Sequence, residues 1–282
     1  MDRIRKALDL ARQERDRGFT AEPQAPVIDP DAKAHLTGDS SRPASGLPAK
    51  ITYTSTRIFA PEAAALESHR IINPAGGDPA AAAFRMLRTQ VIQRMDENGW
   101  RTMAVLSPGM NDGKTTTAIN LAVSLASDRR HTVLLVDCDL RRPAIGSALG
   151  INPEFGLDDL LRGDARVEQC LYHPQGFDRL VVLPARGTLA NSSEALAGPP
   201  GRELVAELRG RYPERIIVFD LPPVLGADDA LAFSPLVECG LVVIAERATR
   251  RDDLLRCMEL LRRTPILGTV LNKATGLDSG YG

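Results

Sequence analysis

Apolar and polar residues follow two different periods along this chain. From residue 101 onward, short apolar and β-branched runs recur at Thr102–Leu106, Thr132–Val136, Leu180–Leu183, Ile216–Phe219, Leu241–Ala245 and Leu267–Leu271. Each run is continuously apolar, the pattern of a strand covered on both faces. Helical stretches lie between them, near 114–127, 201–211, 229–237 and 251–262. Strands alternating with helices predict a doubly wound α/β domain around a mostly parallel sheet. A further helix is expected from Asp78, with that residue as N-cap and Pro79 at the first helical position. Phe84, Leu87, Val91 and Met95 form its core face, with Arg85 and Arg88 beside them.

The first 76 residues have a different pattern. Residues 2–18 read as a charged helix with one narrow apolar stripe, Ile4, Ala7, Leu8 and Ala11. Prolines at 23, 26, 30, 43, 48, 61 and 74 then recur among small and polar residues. Such a stretch buries too little apolar surface to offset its ordering entropy. The expected organisation is an N-terminal helix (1–18), a linker (19–76) whose Ile71 and Ile72 pack on the adjoining domain, that α/β domain itself (77–275) and a short tail (276–282).

Composition narrows the function classes. The net charge is -1 and aromatics are 4%, which argues against a nucleic-acid surface. Cys138, Cys170, Cys239 and Cys257 show neither metal-ligand spacing nor a disulfide framework, so they are expected to be reduced and buried. No run reaches membrane-span length and the N-terminus lacks the apolar core of a secretory signal. The expected location is the cytoplasm, with any membrane role made through a partner or a surface-lying helix.

The chemistry concentrates after the first strand, in Ser107-Pro108-Gly109-Met110-Asn111-Asp112-Gly113-Lys114-Thr115-Thr116. The phosphate-loop pattern is G-x-x-x-x-G-K-[ST]. Pro108 stands at its first glycine, while Gly113-Lys114-Thr115 is intact, between a strand and a helix as the motif requires. Backbone N–H groups at a helix N-terminus bind phosphate oxygens. Lys114 supplies a mobile cation to the β- and γ-phosphates, and the Thr115 hydroxyl is placed for Mg²⁺. The segment from Gly109 to Thr116 is thus the expected cradle for ATP. Two strands end in acids, one in Asp137-Cys138-Asp139 and the other in Asp220. Residues i and i+2 of extended chain face one side, so Asp137 and Asp139 share a crevice. Carboxylates converging there call for a cation, and Mg²⁺ carried by ATP is the candidate. Asp139 alone could instead cap the segment after it.

With these motifs in place the chain resembles the bacterial tyrosine autokinases, relatives of the ATPases of cell-division-site selection and plasmid partition. The tract VLLVDCDLRRP carries the resemblance, with FRMLRTQV (84–91), GLDDLLRG (156–163), LVVLPARG, NSSEALAG, IIVFDLPPVLGADDA and LGTVLNKATG. It covers about residues 69–275. Gly109 stands where the partition ATPases usually carry a second lysine, which favours the autokinase branch.

The resemblance implies ATP- and magnesium-dependent transfer of the γ-phosphate to tyrosines in a neighbouring subunit's tail. It further implies control of exopolysaccharide or capsule polymerisation and export, with a membrane polysaccharide co-polymerase, a chain-length regulator, as partner. By position, Lys114 and Thr115 bind phosphate and magnesium, Asp137 is the metal-side acid and Asp139 the candidate base. Asp220 would hold the metal through water, and Asn272 and Lys273 would lie near the adenine. Two departures stand out. The glutamate of the oligomerisation helix is Ala82 here, ahead of Arg85 and Arg88, and the tail GLDSGYG carries one tyrosine, Tyr281, as phosphoacceptor. The alternative reading is a regulatory ATPase switch of the same fold without kinase activity.

Overall fold

The structure, a computed structural model, describes residues 56–211 and 214–275. The expected helix at 2–18, the linker up to residue 55 and the tail with Tyr281 lie outside the described residues.

One eight-stranded sheet organises the fold, in the order β1-β4-β5-β3-β6-β2-β7-β8. The strands are β1 (Arg57–Phe59), β2 (Thr102–Leu106), β3 (Thr132–Asp137), β4 (Tyr172–Pro174), β5 (Leu180–Leu183), β6 (Arg215–Asp220), β7 (Cys239–Ala245) and β8 (Ile266–Asn272). The helices are α1 (Ala63–Ser68), α2 (Pro79–Asn98), α3 (Lys114–Ala126), α4 (Ile145–Leu149), α5 (Leu157–Arg162), α6 (Ser192–Ala197), α7 (Pro199–Arg211), α8 (Asp229–Phe233) and α9 (Arg251–Leu260). All neighbouring strands run parallel except β4 and β5.

The continuous apolar runs bury side chains on both sheet faces. Met103, Val105, Val133, Leu135, Ile216 and Val218 face one core, shared with α2 and α3. Ala104, Leu106, Leu134, Val136, Ile217 and Phe219 face a second core, covered by α5, α7, α8 and α9. Strict alternation between two buried faces is what a doubly wound sheet demands. Helix α2 starts as its sequence suggests, with the Asp78 side chain accepting from Ala80 N at 2.9 Å. It ends at Gly99, whose φ of 68° terminates the helix in the left-handed region.

The sheet takes in residues upstream of the domain start expected at 77, since β1 pairs parallel to β4. Ile72, expected to pack on the domain, is 4% exposed within the first core. The buried Asn120 of α3 ties this upstream segment down. Its Oδ1 accepts from Ile72 N at 3.0 Å and its Nδ2 donates to Arg70 O at 2.9 Å. Three-residue strands such as β1 and β4 carry too little periodicity to be read from sequence. The short helices α1, α4, α5 and α6 escaped the sequence reading for the same reason. All four cysteines are buried, as expected. No helix of the described residues is long and apolar enough to cross a membrane.

Removing the Asn120 amide leaves the buried Ile72 N–H without its partner and frees the Arg70 carbonyl. Asn120→Ala is expected to lower the unfolding free energy by about 1–3 kcal/mol, read by urea denaturation. A loss below about 0.5 kcal/mol would show that the 70–72 segment does not depend on this anchor.

Candidate nucleotide-binding site

The sheet register builds the site. β6 lies between β3 and β2, and Asp137 is paired in register with Asp220. Two carboxylates therefore sit side by side at the carboxyl ends of adjacent strands, where doubly wound sheets bind ligands. β2 leads into the phosphate loop beside them, and α3 starts at Lys114 itself.

Lys114 is 8% exposed. Its Nζ donates to Asp139 Oδ2 at 2.9 Å and to Asp220 Oδ1 at 3.4 Å, and lies 3.2 Å from Thr115 Oγ1. The Thr115 hydroxyl donates to Asp220 Oδ2 at 2.6 Å. Burial pulls the Lys114 ammonium down, but Asp220 and Asp139 outweigh it and hold the pKa above its usual value. Burial likewise pushes the Asp220 carboxyl up, against the opposing pull of Lys114 and the Thr115 hydroxyl.

Asp137 is fully buried. Its Oδ2 accepts from Ala144 N and Ile145 N at 3.0 Å, so it caps α4 from outside. Its Oδ1 accepts from Asp139 N at 3.3 Å. Burial, and next the neighbouring Asp220, push the Asp137 carboxyl up to about 7. Asp139 serves twice, holding Lys114 on one oxygen and accepting from Arg142 N at 3.1 Å on the other. Asp139 thus closes the turn directly after it, while the helix that follows is capped by Asp137.

The loop is braced from neighbouring strand ends. Asp112 accepts from Gly109 N at 2.8 Å on one oxygen and from Thr249 Oγ1 at 2.8 Å on the other. That places Asp112 in support of the loop, and it takes up the Gly109 N–H that was expected to face phosphate. Asn272 Nδ2 donates to Asp112 O at 2.9 Å, and Lys273 Nζ donates to Asn111 O at 2.6 Å. Both residues, expected near the adenine, hold loop backbone here. Gly113 has φ 92°, and a Cβ on it would lie 1.9 Å from Asn272 Nδ2, so only glycine fits.

A cavity of about 470 Å³ opens over these groups, bordered by Gly113, Lys114, Thr115, Thr116 and Asp139. Met110 and Asn111 also reach it, whereas Gly109, Asp112, Asp137, Asp220 and Asn272 stand behind its wall. The far side comes from Pro222, Pro223, Gly226 and Ala227, with Arg141 and Arg142 at the edge. Sequence reasoning passed over these last residues. The tract LRRP following the two acids was the available signal. Arg141 is clamped by Asp229 Oδ2 at 2.7 Å and Asp228 Oδ1 at 2.9 Å.

Magnesium fits this donor set. Asp137, Asp139 and Asp220 are all buried around a single lysine, so the cluster carries an excess of acid that a divalent cation would relieve. Among the described residues no group of three His, Cys, Asp or Glu side chains could hold a metal unaided. The Thr115 hydroxyl, water and phosphate oxygens would then have to complete the ligand set of a bound Mg²⁺.

A parallel sheet with a lysine-bearing loop at a helix N-terminus and acids on the adjacent strand ends defines a P-loop nucleotide-binding protein. The AAA domain family model matches residues 108–249. The tyrosine-protein kinase YwqD of Bacillus subtilis (strain 168) is 28% identical over 202 residues, spanning 71% of this chain and 84% of that one. The succinoglycan biosynthesis transport protein ExoP of Rhizobium meliloti (strain 1021) is 30% identical over 210 residues, spanning 72% of this chain but 26% of that longer one. The crystal structure of the VpsO kinase domain is 31% identical with a TM-score of 0.61, covering 70% of this chain and 96% of that one. The chain belongs to the AAA domain family, among its bacterial tyrosine-protein kinases.

Asp137 gives the site a pH signature. An unfolded aspartate ionises near pH 4, so a carboxyl raised to about 7 contributes stability that is full below about pH 4 and is lost as pH rises through about 7. Asp137→Asn removes this contribution. Without nucleotide and magnesium, the variant should gain on the wild-type protein between about pH 4.5 and about pH 7.5 in urea unfolding. An identical difference at both ends of that range would refute the raised value.

Proposed function

We propose that this chain is an ATP-dependent protein-tyrosine autokinase that acts in exopolysaccharide or capsule polymerisation and export. The observation that carries the reading is the buried Lys114, held at 2.9 Å and 3.4 Å from Asp139 and Asp220 at the start of α3. Its kinship with tyrosine-protein kinases and with a polysaccharide transport protein supplies the reaction class and the pathway.

In this reading the loop N–H groups and Lys114 hold the β- and γ-phosphates of ATP. Thr115 and Asp220, with Asp137 behind, would hold Mg²⁺, which would neutralise charge on the phosphate oxygens. The acceptor tyrosine oxygen forms a bond to the γ-phosphorus as the bond from that phosphorus to the β–γ bridging oxygen breaks. The phenolic proton passes to Asp139, and ADP leaves. Lys114 stays on the transferring group, where charge accumulates. Tyr281 is the proposed acceptor, delivered to a second copy of the chain. A membrane polysaccharide co-polymerase is the proposed partner, recruiting the protein to the inner face of the membrane.

Lys114→Ala removes a charge-assisted contact worth about 1.5–3 kcal/mol, so ATP affinity should fall at least roughly tenfold. Calorimetry reads the affinity, and a thermal melt of the same sample separates lost binding from unfolding. Unchanged affinity would reject the role of Lys114.

Incubation with ATP and magnesium, with the membrane partner present, should place phosphate on Tyr281 by mass spectrometry. Tyr281→Phe should abolish it and Asp139→Asn should slow it by about two orders of magnitude. Phosphate on Tyr172 or Tyr212 alone would eliminate the tail as acceptor. ATP hydrolysis without any phosphotyrosine would favour the ATPase switch.

A further inference from the structure

The cations around the cavity are not equivalent. Lys114 is matched by Asp139 and Asp220, and Arg141 by Asp228 and Asp229. Arg142 lies at the same cavity edge, and among the described residues its guanidinium makes no ion pair. What it touches is a thioether: Arg142 Nη1 lies 3.1 Å from Met110 Sδ. Met110 is itself 58% exposed at the tip of the phosphate loop. A large apolar side chain and an unpaired guanidinium thus sit together at the mouth of a polar cavity. The backbone beneath them leads straight to the candidate base, since Arg142 N donates to Asp139 Oδ1 at 3.1 Å.

We propose that Met110 and Arg142 form the subsite for the aromatic ring of the acceptor tyrosine. The proposal rests on the tyrosine-transfer reading above. The chemistry of the pair favours a ring over a phosphate. A guanidinium lies well over an aromatic face, and a thioether packs well against a ring, often at its edge. Phosphate would gain from the cation but nothing from the sulfur, and the loop N–H groups and Lys114 already serve it deeper in the cavity. A ring held at this rim has its hydroxyl directed inward, toward Asp139. Serine and threonine lack the ring, so the pair would also select tyrosine over them. Arg142 acts here as a substrate-positioning residue, leaving proton transfer to Asp139.

The test uses binding, which does not require turnover. The full chain carrying Tyr281→Ser, so that its own tail does not compete, is loaded with a non-hydrolysable ATP analogue and magnesium. Peptide GLDSGYG, the sequence of residues 276–282, is titrated in, alongside the same peptide with serine in place of its tyrosine. Arg142→Ala should weaken the tyrosine peptide roughly fivefold, the scale of one exposed ring–cation contact. Affinity for the ATP analogue should stay within about twofold, and the serine peptide should be insensitive to the substitution. Arg142 is exposed, so the change leaves the core intact, and Arg142→Lys, which keeps the charge, should recover part of the affinity. Three results would overturn the subsite: no tyrosine-dependent binding to the parent chain, tyrosine-peptide affinity unaffected by Arg142→Ala, or ATP-analogue affinity lost as strongly as peptide affinity. Phosphotyrosine formed by the native chain is scored separately. Its absence alongside Arg142-dependent peptide binding would count against phosphoryl transfer, and its presence without such binding would count against the subsite alone.

Discussion

Three buried carboxylates gathered around one buried ammonium group set the terms for the site. Asp137, Asp139 and Asp220 stand at two strand ends, and Lys114 at the start of α3 is the cation ion-paired to two of them. In a medium of low dielectric, like charges this close cannot all ionise unless something positive lies among them. Burial raises the Asp137 and Asp220 carboxyls, and the neighbouring acids add to it. Breaking a buried pair by deleting one partner costs about 3–5 kcal/mol, so the lysine is bound into the fold as well as into the chemistry. A site with surplus acid and a mobile cation is suited to exchange those contacts for a phosphate accompanied by a divalent ion.

The geometry of that cluster depends on how firmly the phosphate loop is held. Asp112 joins the loop to itself at Gly109 and to the segment after β7 at Thr249. Asn272 and Lys273 at the end of β8 hold the carbonyls of Asp112 and Asn111. Asn111 and Lys273 both adopt positive φ, 64° and 57°, a conformation uncommon outside glycine. These braces come from strands on one side of β2, while the acids come from strands on the other. The loop is therefore preorganised between the two halves of the sheet, which is what electrostatic catalysis of phosphoryl transfer needs.

A second layer of ionic contacts holds the surroundings of the site. Arg141 draws α8 toward the loop after β3 through Asp229, which the Ser192 hydroxyl of α6 also reaches. Further out, Asp159 of α5 accepts from Gly156 N, Arg162 and Arg186, fastening the loop after β5. The GLDDLLRG tract is thus a clamp, with both of its acids buried. Against these paired groups, the Arg142 guanidinium, without an ion pair among the described residues, and the exposed Met110 stand apart as surface suited to a ligand.

The sequence by itself determined the six longer strands, the helices α2, α3, α7, α8 and α9, the phosphate loop and the acids at Asp137, Asp139 and Asp220. These rest on local signals: apolar runs bounded by turns, and a loop whose residue types are dictated by phosphate binding. The sheet also takes in residues upstream of the domain start expected at 77. β1 is held by pairing with β4 and the 70–72 segment by Asn120, each more than 40 positions away, and no local pattern records such a contact. Only the tertiary structure decided the division of labour among the acids, because strand register brings Asp137 level with Asp220 and turns Asp137 toward the N-terminus of α4. It likewise decided that Asp112, Asn272 and Lys273 brace the loop, and that Met110 meets Arg142. Most of these join segments distant in sequence, and all of them depend on how the strands are placed in the sheet.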